Sequence, residues 1–317
     1  MCEILTLGEP MALFLANQKG ELDKIEEFTK LVAGAEVNFA IGMARLGHEV
    51  AYITKLGEDP FGKYINRFLL ENNIDTRYVN YDAGHFTGFQ LKSKVEVGDP
   101  EVFYFRRHSA ASHLHTEDVS DILWDKVKHL HLTGIPPALS STCREVSYKL
   151  MAAAREKGIS ISFDTNLRPQ LWKSKEEMVS VINDLAFRSD LVLPGVNEGK
   201  ILTGSDDPNQ IADFYLKEGV STVVIKLGEK GAFVKTQDTS FEVQGFKVEK
   251  VVDTVGAGDG FAVGVVSGLR AGLSLKDAVV RANAIGALVV MFPGDNDGLP
   301  NSRQLESYLQ TQLGQQV

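Results

Sequence analysis

The chain has 317 residues, 44% of them hydrophobic, and a formal net charge of −9. This is enough for one large domain with a sizeable core, and the apolar share argues against disorder. An acidic balance without a long basic run excludes a general nucleic-acid or anionic-membrane surface, and no run of about 18 apolar residues exists to span a bilayer.

The opening stretch, Met1–Met11, reads as a first strand, without the basic region and apolar block of a secretory leader. Cys2 and Cys143 lie far apart and lack metal-like spacing, which suits a reduced, cytoplasmic compartment. Met11–Asn17 and Phe86–Arg107 alternate polar and apolar residues without intervening helices, as antiparallel strands with one wet face do. They are expected to form a small lid, inserted at about residues 10–17 and 86–107 of a single domain spanning 1–317. His108, His113 and His115 follow in a polar, solvated loop.

Four short apolar runs then read as buried strands: His129–Ile135, Ile159–Asn166, Asp190–Val196 and Thr222–Gly228. Helical patterns such as Ser140–Gly158 and Ser174–Ser189 alternate with them, which predicts an α/β fold: a parallel sheet between two helical layers. Ligands of such sheets bind beyond the carboxyl ends of the strands. His129 and His131 share a strand face but have no third ligand at metal-like spacing, so they are read as packing residues. The tail from Asn301 to Val317 reads as a helix with a frayed end.

One stretch carries most of the chemistry, DTVGAGDGFAVG (Asp253–Gly264). A β-like run, Phe246–Val255, precedes it and a small-residue helical pattern follows. A glycine-rich turn at a helix N-terminus is an anion site, because free N–H groups and the positive end of the helix face the ligand. It is a poor dinucleotide fingerprint, since its third glycine falls one place early; close helix packing is the bland alternative. A carboxylate in the middle, Asp259, makes sense if phosphate is transferred rather than held. Asp259 would take the proton of an incoming hydroxyl, while the N–H groups of Gly256, Ala257 and Gly258 stabilise the transferring group. The segment Gly195–Ile201 imitates a Walker loop but is one residue short and has Ile201 where a hydroxyl should bind magnesium.

The same stretch resembles the second signature of the PfkB, or ribokinase-like, carbohydrate kinases. Ala33–Gly47 is similar to the family's glycine-rich first signature, Lys226–Ala232 to its nucleotide-binding strand and turn, and Arg281–Leu288 to the late helix beside adenine. The resemblance implies a Rossmann-like αβα domain with a β-lid, ATP with magnesium, and transfer to a sugar hydroxyl. It makes Asp259 the catalytic base and Gly256, Ala257 and Gly258 the anion hole. It places Gly34 and Asn38 on the sugar, and Asn166, Asn197, Lys226, Leu227, Gly228, Gly231 and Asn283 on the nucleotide side. The family's N-x-x-E motif would begin at Asn197, which puts Lys200 in the glutamate's position. Either Glu198 serves in a shifted register or the metal is held differently, and no metal ligand is assigned.

The acceptor is suggested by arginine. The two-residue period puts Tyr104 and Arg106 on one face of a lid strand, with Arg107 pointing to solvent. Asp164, Asn166 and Arg168 follow a core strand at the ligand end of the sheet. Two arginines converging on a pocket suit a carboxylate, which accepts parallel N–H donors. Within the PfkB family these stretches, with Gly8–Ala16 and Pro293–Pro300, resemble members that phosphorylate 2-keto-3-deoxygluconate at its 6-hydroxyl. By that resemblance Tyr104, Arg106 and Arg168 bind the acid sugar, Gln90 joins them and Asp295 closes over it. The rivals are a fructokinase, a 5-dehydro-2-deoxygluconate kinase, a non-catalytic sensor on the same fold and a dehydrogenase. Exposed edges of the lid predict a two-fold dimer through it.

Overall fold

A computed structural model of the chain describes residues 2–95 and 100–314, so the part of the predicted lid segment at 96–99 and the frayed end at 315–317 lie outside the described residues. The N-terminal third contains β1 (Ile4–Leu7), β2 (Met11–Ala16), β3 (Phe28–Ala33), α1 (Ala35–Arg45), β4 (Val50–Gly57), α2 (Pro60–Glu71), β5 (Val79–Asp82), β6 (Phe89–Lys92) and β7 (Val102–Phe105). The middle contains β8 (His129–Thr133), α3 (Pro136–Leu139), α4 (Ser141–Glu156), β9 (Ser160–Asp164), α5 (Lys175–Phe187), β10 (Leu191–Val192), α6 (Val196–Thr203), α7 (Pro208–Lys217) and β11 (Thr222–Lys226). The remainder is the hairpin β12 (Gly231–Thr236) and β13 (Ser240–Gln244), then α8 (Ala257–Arg270), α9 (Leu275–Val289) and α10 (Ser302–Gly314). Several helices start where the sequence supplies a side-chain acceptor for a free N–H: Asp59 before Pro60, Ser140, Ser174, Asp207 before Pro208, and Ser274.

Nine strands form the central sheet in the order β13-β12-β11-β10-β9-β8-β1-β4-β5. From β11 to β5 every pairing is parallel, as expected; β12 and β13 add an antiparallel edge that the alternation of strand and helix did not announce. Each face of the sheet has its own apolar core. One is built from Ile4, Tyr52 and Val224 against Phe39, Val263 and Ile285; the other sets Leu5, Ile53 and Phe163 against Val146, Leu150, Ile182 and Ile211. This is the αβα sandwich predicted above.

A second sheet, ordered β3-β2-β6-β7, forms the lid. Its β2–β3 and β6–β7 pairs are antiparallel, but β2 runs parallel to β6, which corrects the uniformly antiparallel expectation. The reason is connectivity: β2 and β6 both leave the central sheet in the same sense, and each then turns back on its own partner. The run Phe246–Val255 is also not a strand. After the edge strand β13 the chain must return to the start of α8, and it does so irregularly, anchored by Val252 N–H donating to Val290 O at 2.7 Å.

His129 and His131 are buried in the sheet. Both nitrogens of His129 meet serine hydroxyls, Ser160 and Ser162, at 2.7 Å, and His131 Nδ1 meets Ser162 at 2.8 Å with its ring stacked 3.8 Å from Phe39. His108 and His115 are exposed, but His113 is partly buried, stacked 3.5 Å from His85, so the expectation of three solvated histidines is corrected at His113.

Candidate active site

Five parallel strands end at one cavity of about 350 Å³ roofed by the lid. Glu9 follows β1, Ile135 follows β8, Asp164 ends β9 with Asn166 and Arg168 behind it, Glu198 follows β10, and Lys226 ends β11. The lid contributes Gln90, Lys92, Tyr104 and Arg106, which share one face by strand alternation. Helix α1 contributes Gly34, Glu36 and Asn38, and the start of α8 contributes Gly256, Gly258 and Asp259.

Asp259 sits in the first turn of α8 with both carboxylate oxygens engaged: Asn38 Nδ2 donates to Oδ2 at 2.8 Å and Asn166 Nδ2 to Oδ1 at 3.4 Å. Burial raises its pKa to about 7; the Asn38 hydrogen bond opposes the rise, and the charges of Asp164 and Glu36 add to it. Gly256 precedes the helix with φ +83°, and a Cβ there would lie 2.2 Å from the carbonyl oxygen of Asp295. A glycine is therefore required on two grounds, left-handed backbone and close approach. Ala257 opens α8 between the two cavity-lining glycines, where N–H groups lack intrahelical acceptors. Gly34 is constrained in the same way: φ +142°, with a Cβ there 2.8 Å from Glu9 O.

Lys226 places its ammonium 2.7 and 2.8 Å from the two oxygens of Asp164. Burial disfavours its charge, but Asp164 and Glu198 together hold its pKa above the usual value. Glu198 turns back over the N-terminus of α6. Its Oε2 accepts from Gly195 N–H and the Thr165 hydroxyl, both at 2.8 Å, and its Oε1 from Leu167 N–H at 2.7 Å. Burial opposes ionisation, yet Lys226 and these donors hold its pKa below the usual value. Lys200 instead pairs with Asp206 at the surface. Glu198, not Lys200, is thus the glutamate facing the cavity, and the register beginning at Asn197 is corrected because Asn197 and Lys200 fall on the solvent side of α6.

Arg106 and Arg168 line the same cavity. Arg106 Nε and Nη2 lie 2.7 and 2.5 Å from Glu9 Oε2, and Ser109 donates to the other oxygen of Glu9. Arg168 Nη1 donates to Leu167 O at 3.0 Å. Tyr104 lies under the Arg106 guanidinium, 5.6 Å from ring centroid to Cζ, and Arg107 is exposed as expected. Asp295 lines the cavity, but its carboxylate is held by Lys92 at 2.8 Å rather than free over an acceptor. Leu227, Gly228 and Gly231 form the turn into β12, outside the cavity wall. Asn283 also lies outside it: its amide donates to Val243 O and Gln244 O, tying α9 to the edge strand.

Sequence reasoning missed Glu9, Glu36 and Lys92. The signals were present: Lys92 is two residues after Gln90 on a strand, and Glu36 lies between Gly34 and Asn38 on the first turn of a helix. Glu36 is 1% exposed; the Thr133 hydroxyl donates to one oxygen, and the other has no protein partner. Burial raises its pKa to about 7.

The description "pfkB family carbohydrate kinase" matches residues 1–302. The chain belongs to the pfkB family of carbohydrate kinases. The 2-dehydro-3-deoxygluconokinase of Bacillus subtilis (strain 168) is 49% identical to this pfkB kinase over 311 residues, covering 98% of this chain and 96% of that protein. The crystal structure of a PfkB protein from Polaromonas sp. JS666 superposes with TM-score 0.89 at 44% identity, covering 97% of this chain and all of that one. A protein from E. coli described as a ribokinase II, in complex with ATP and Mg²⁺, superposes with TM-score 0.91 at 25% identity, covering 98% and 100%.

Proposed function

We propose that this pfkB kinase transfers the γ-phosphoryl group of ATP to the 6-hydroxyl of 2-dehydro-3-deoxy-D-gluconate, giving the 6-phosphate and ADP. The observation that carries the reading is the pair Arg106 and Arg168 on the wall of the cavity that also holds Asp259. A neutral sugar needs no cation at its far end, whereas a 2-keto acid presents a carboxylate there. Glu9 holds Arg106 side-on, which leaves one edge of the guanidinium for the substrate. The name of the B. subtilis relative agrees with this acceptor.

In this reading Asp259 accepts the 6-hydroxyl proton, oriented by Asn38 and Asn166, while the first-turn N–H groups of α8 meet the charge on the transferring group. Holding the carboxylate end of the acceptor fixes the distance of its 6-hydroxyl from Asp259, so remote binding is used for orientation. Lys226 and the turn through Gly231 serve the nucleotide, with Asn166 on the same side; Asn197 is set aside because it faces solvent. Magnesium fits the donor set: Asp164 and Glu198 are carboxylates on the cavity wall, and Mg²⁺ takes one or two carboxylates besides water and phosphate oxygens. These two residues would hold it, and it would neutralise phosphate charge.

The outer face of the lid presents Phe103 and Phe105, 48% and 44% exposed, beside Phe89. A second copy covering this face would give a two-fold dimer of a cytoplasmic enzyme. Sedimentation as a monomer at micromolar concentration would exclude that dimer. The acceptor is tested by coupled ADP release with 2-dehydro-3-deoxygluconate, 5-dehydro-2-deoxygluconate, fructose and ribose. The expected result is preference for the first, with Arg106→Ala raising its KM roughly 10- to 100-fold, as loss of a charge-assisted hydrogen bond does. Preference for fructose with Arg106→Ala unimpaired would overturn the acid-sugar acceptor and keep the kinase.

A further inference from the structure

The lid carries one buried cation to which phosphoryl transfer assigns no role. Lys92, the last residue of β6, is 1% exposed, and its ammonium lies 2.6 Å from Asp253 Oδ2 and 2.8 Å from Asp295 Oδ1. Its backbone belongs to the lid sheet, whereas both partners belong to segments on the body of the protein. A buried ammonium persists only when paired, and here one ammonium serves two carboxylates.

The two partners are the roots of the transfer machinery. Asp253 begins the anion-binding turn, and its other oxygen accepts the N–H of Val255 at 3.0 Å. Asp295 packs its carbonyl against Gly256 so closely that no side chain fits between. The next residue, Asn296, donates to Asn38 Oδ1 at 3.3 Å, and Asn38 donates to Asp259. One lid side chain therefore touches both the turn that supplies the N–H donors and the loop that leads to the base. Without the ammonium, Asp253 and Asp295 would repel each other, and a phosphate, across the same small volume.

We propose that Lys92 is a positioning residue whose ammonium, carried in by the lid, fastens Asp253 and Asp295 and so sets the anion-binding turn and the Asn296–Asn38–Asp259 chain. Closing the lid and assembling the transfer geometry are then one event. The inference rests on the reading of Asp259 and its turn as the transfer site. That reading fails separately, if Asp259→Asn retains full activity, an outcome that leaves the Lys92 contacts untouched.

The test is Lys92→Met, which removes the charge and keeps most of the stem. With 2-dehydro-3-deoxygluconate and ATP, kcat is expected to fall about 100-fold or more, with both KM values within about threefold of the unsubstituted enzyme. ADP release to water, relative to sugar phosphorylation, is expected to rise at least tenfold, because an unfastened lid admits water to the nucleotide. A kcat within threefold of wild type, or a loss that leaves the ratio of hydrolysis to transfer unchanged, would overturn the proposal. Should Lys92→Met not fold, hydrogen exchange on the unsubstituted protein decides. Amides of 89–92, 254–258 and 294–297 are expected to open as one unit and to slow together with both substrates bound, whereas independent opening would overturn it.

Discussion

Asp259 shows how a single residue is tuned. An aspartate in water titrates well below neutrality and would be a weak base; burial and two neighbouring carboxylates raise this one to about 7, in the range that suits the general base proposed for it. Replacing it with asparagine keeps the shape but removes the proton acceptor, and it turns an NH2 donor towards one of the two amide donors, Asn38 or Asn166, that the carboxylate accepts from. Asp259→Asn is expected to lower kcat roughly 10²- to 10⁴-fold with little change in KM, measured by coupled ADP release. In the proposed role Asp259 acts deprotonated, so kcat/KM of the native enzyme should rise with pH through about 7. Glu36 is also raised to about 7 by burial, and its charge adds to the rise at Asp259. Glu36→Gln removes that charge, and the acid limb of the pH–rate profile is expected to move to lower pH. A limb that stays in place would show that Glu36 has no electrostatic hold on the base.

At the scale of elements, the site depends on how α8 begins. An irregular segment, not a strand, delivers Gly256 in a left-handed conformation against the 294–297 loop, and the helix then points its first N–H groups into the cavity. Gly256→Ala meets both a backbone penalty of roughly 1–2 kcal/mol and a clash at 2.2 Å with Asp295 O. The expected outcome is a melting temperature lower by a few degrees and a kcat lower by at least tenfold, while acceptor KM changes little because Arg106 and Arg168 are carried by other elements than the turn. A variant as active as wild type would mean that the turn does not shape the transfer geometry. The lid is the second element with a mechanical role. Its β2 grows directly out of β1 through Glu9, so the residue that orients Arg106 is also at the junction of lid and body.

At the scale of the whole molecule, the buried titratable groups make stability depend on pH in opposite directions. Glu36 is raised to about 7 in the folded state, so it binds its proton more tightly there than when unfolded. Its contribution is full below pH about 4 and lost as pH rises towards 7. Glu36→Gln should accordingly be more stable than wild type at pH 8, by roughly 1–3 kcal/mol, with the difference fading towards pH 4, read from urea unfolding midpoints. His129 is depressed by burial to about 3, and His131 is depressed as well. Neutral in the fold, they contribute stability above pH about 6.5 that is lost as pH falls towards 3, so the midpoint should also decline on the acid side. Because Glu36 and Asp259 act in the opposite sense, the effect is read as a difference: a His129→Gln variant whose midpoint changes from pH 6.5 to 4 just as that of wild type does would show that His129 is hydrated rather than sealed between its serines.

Much of this protein was determined by its sequence alone. Period-2 and period-3.6 patterning announced the αβα sandwich, because burial on two faces forces the choice of residue. The glycine-rich turn with Asp259 pointed to phosphoryl transfer, because a carboxylate among backbone donors suits a phosphate that is transferred better than one that is held. Alternation along the lid strand put Tyr104 and Arg106 together, since side-chain direction in a strand is local geometry. What only the tertiary structure decided was pairing. That Glu198 rather than Lys200 faces the cavity depends on where α6 starts. That Arg106 is shared with Glu9, and that Lys92 reaches Asp253 and Asp295, depends on contacts across 97, 161 and 203 positions of chain. The antiparallel edge and the irregular approach to α8 were hidden for the same reason: apolar runs record burial, whereas the partner that buries them is chosen by the closed fold.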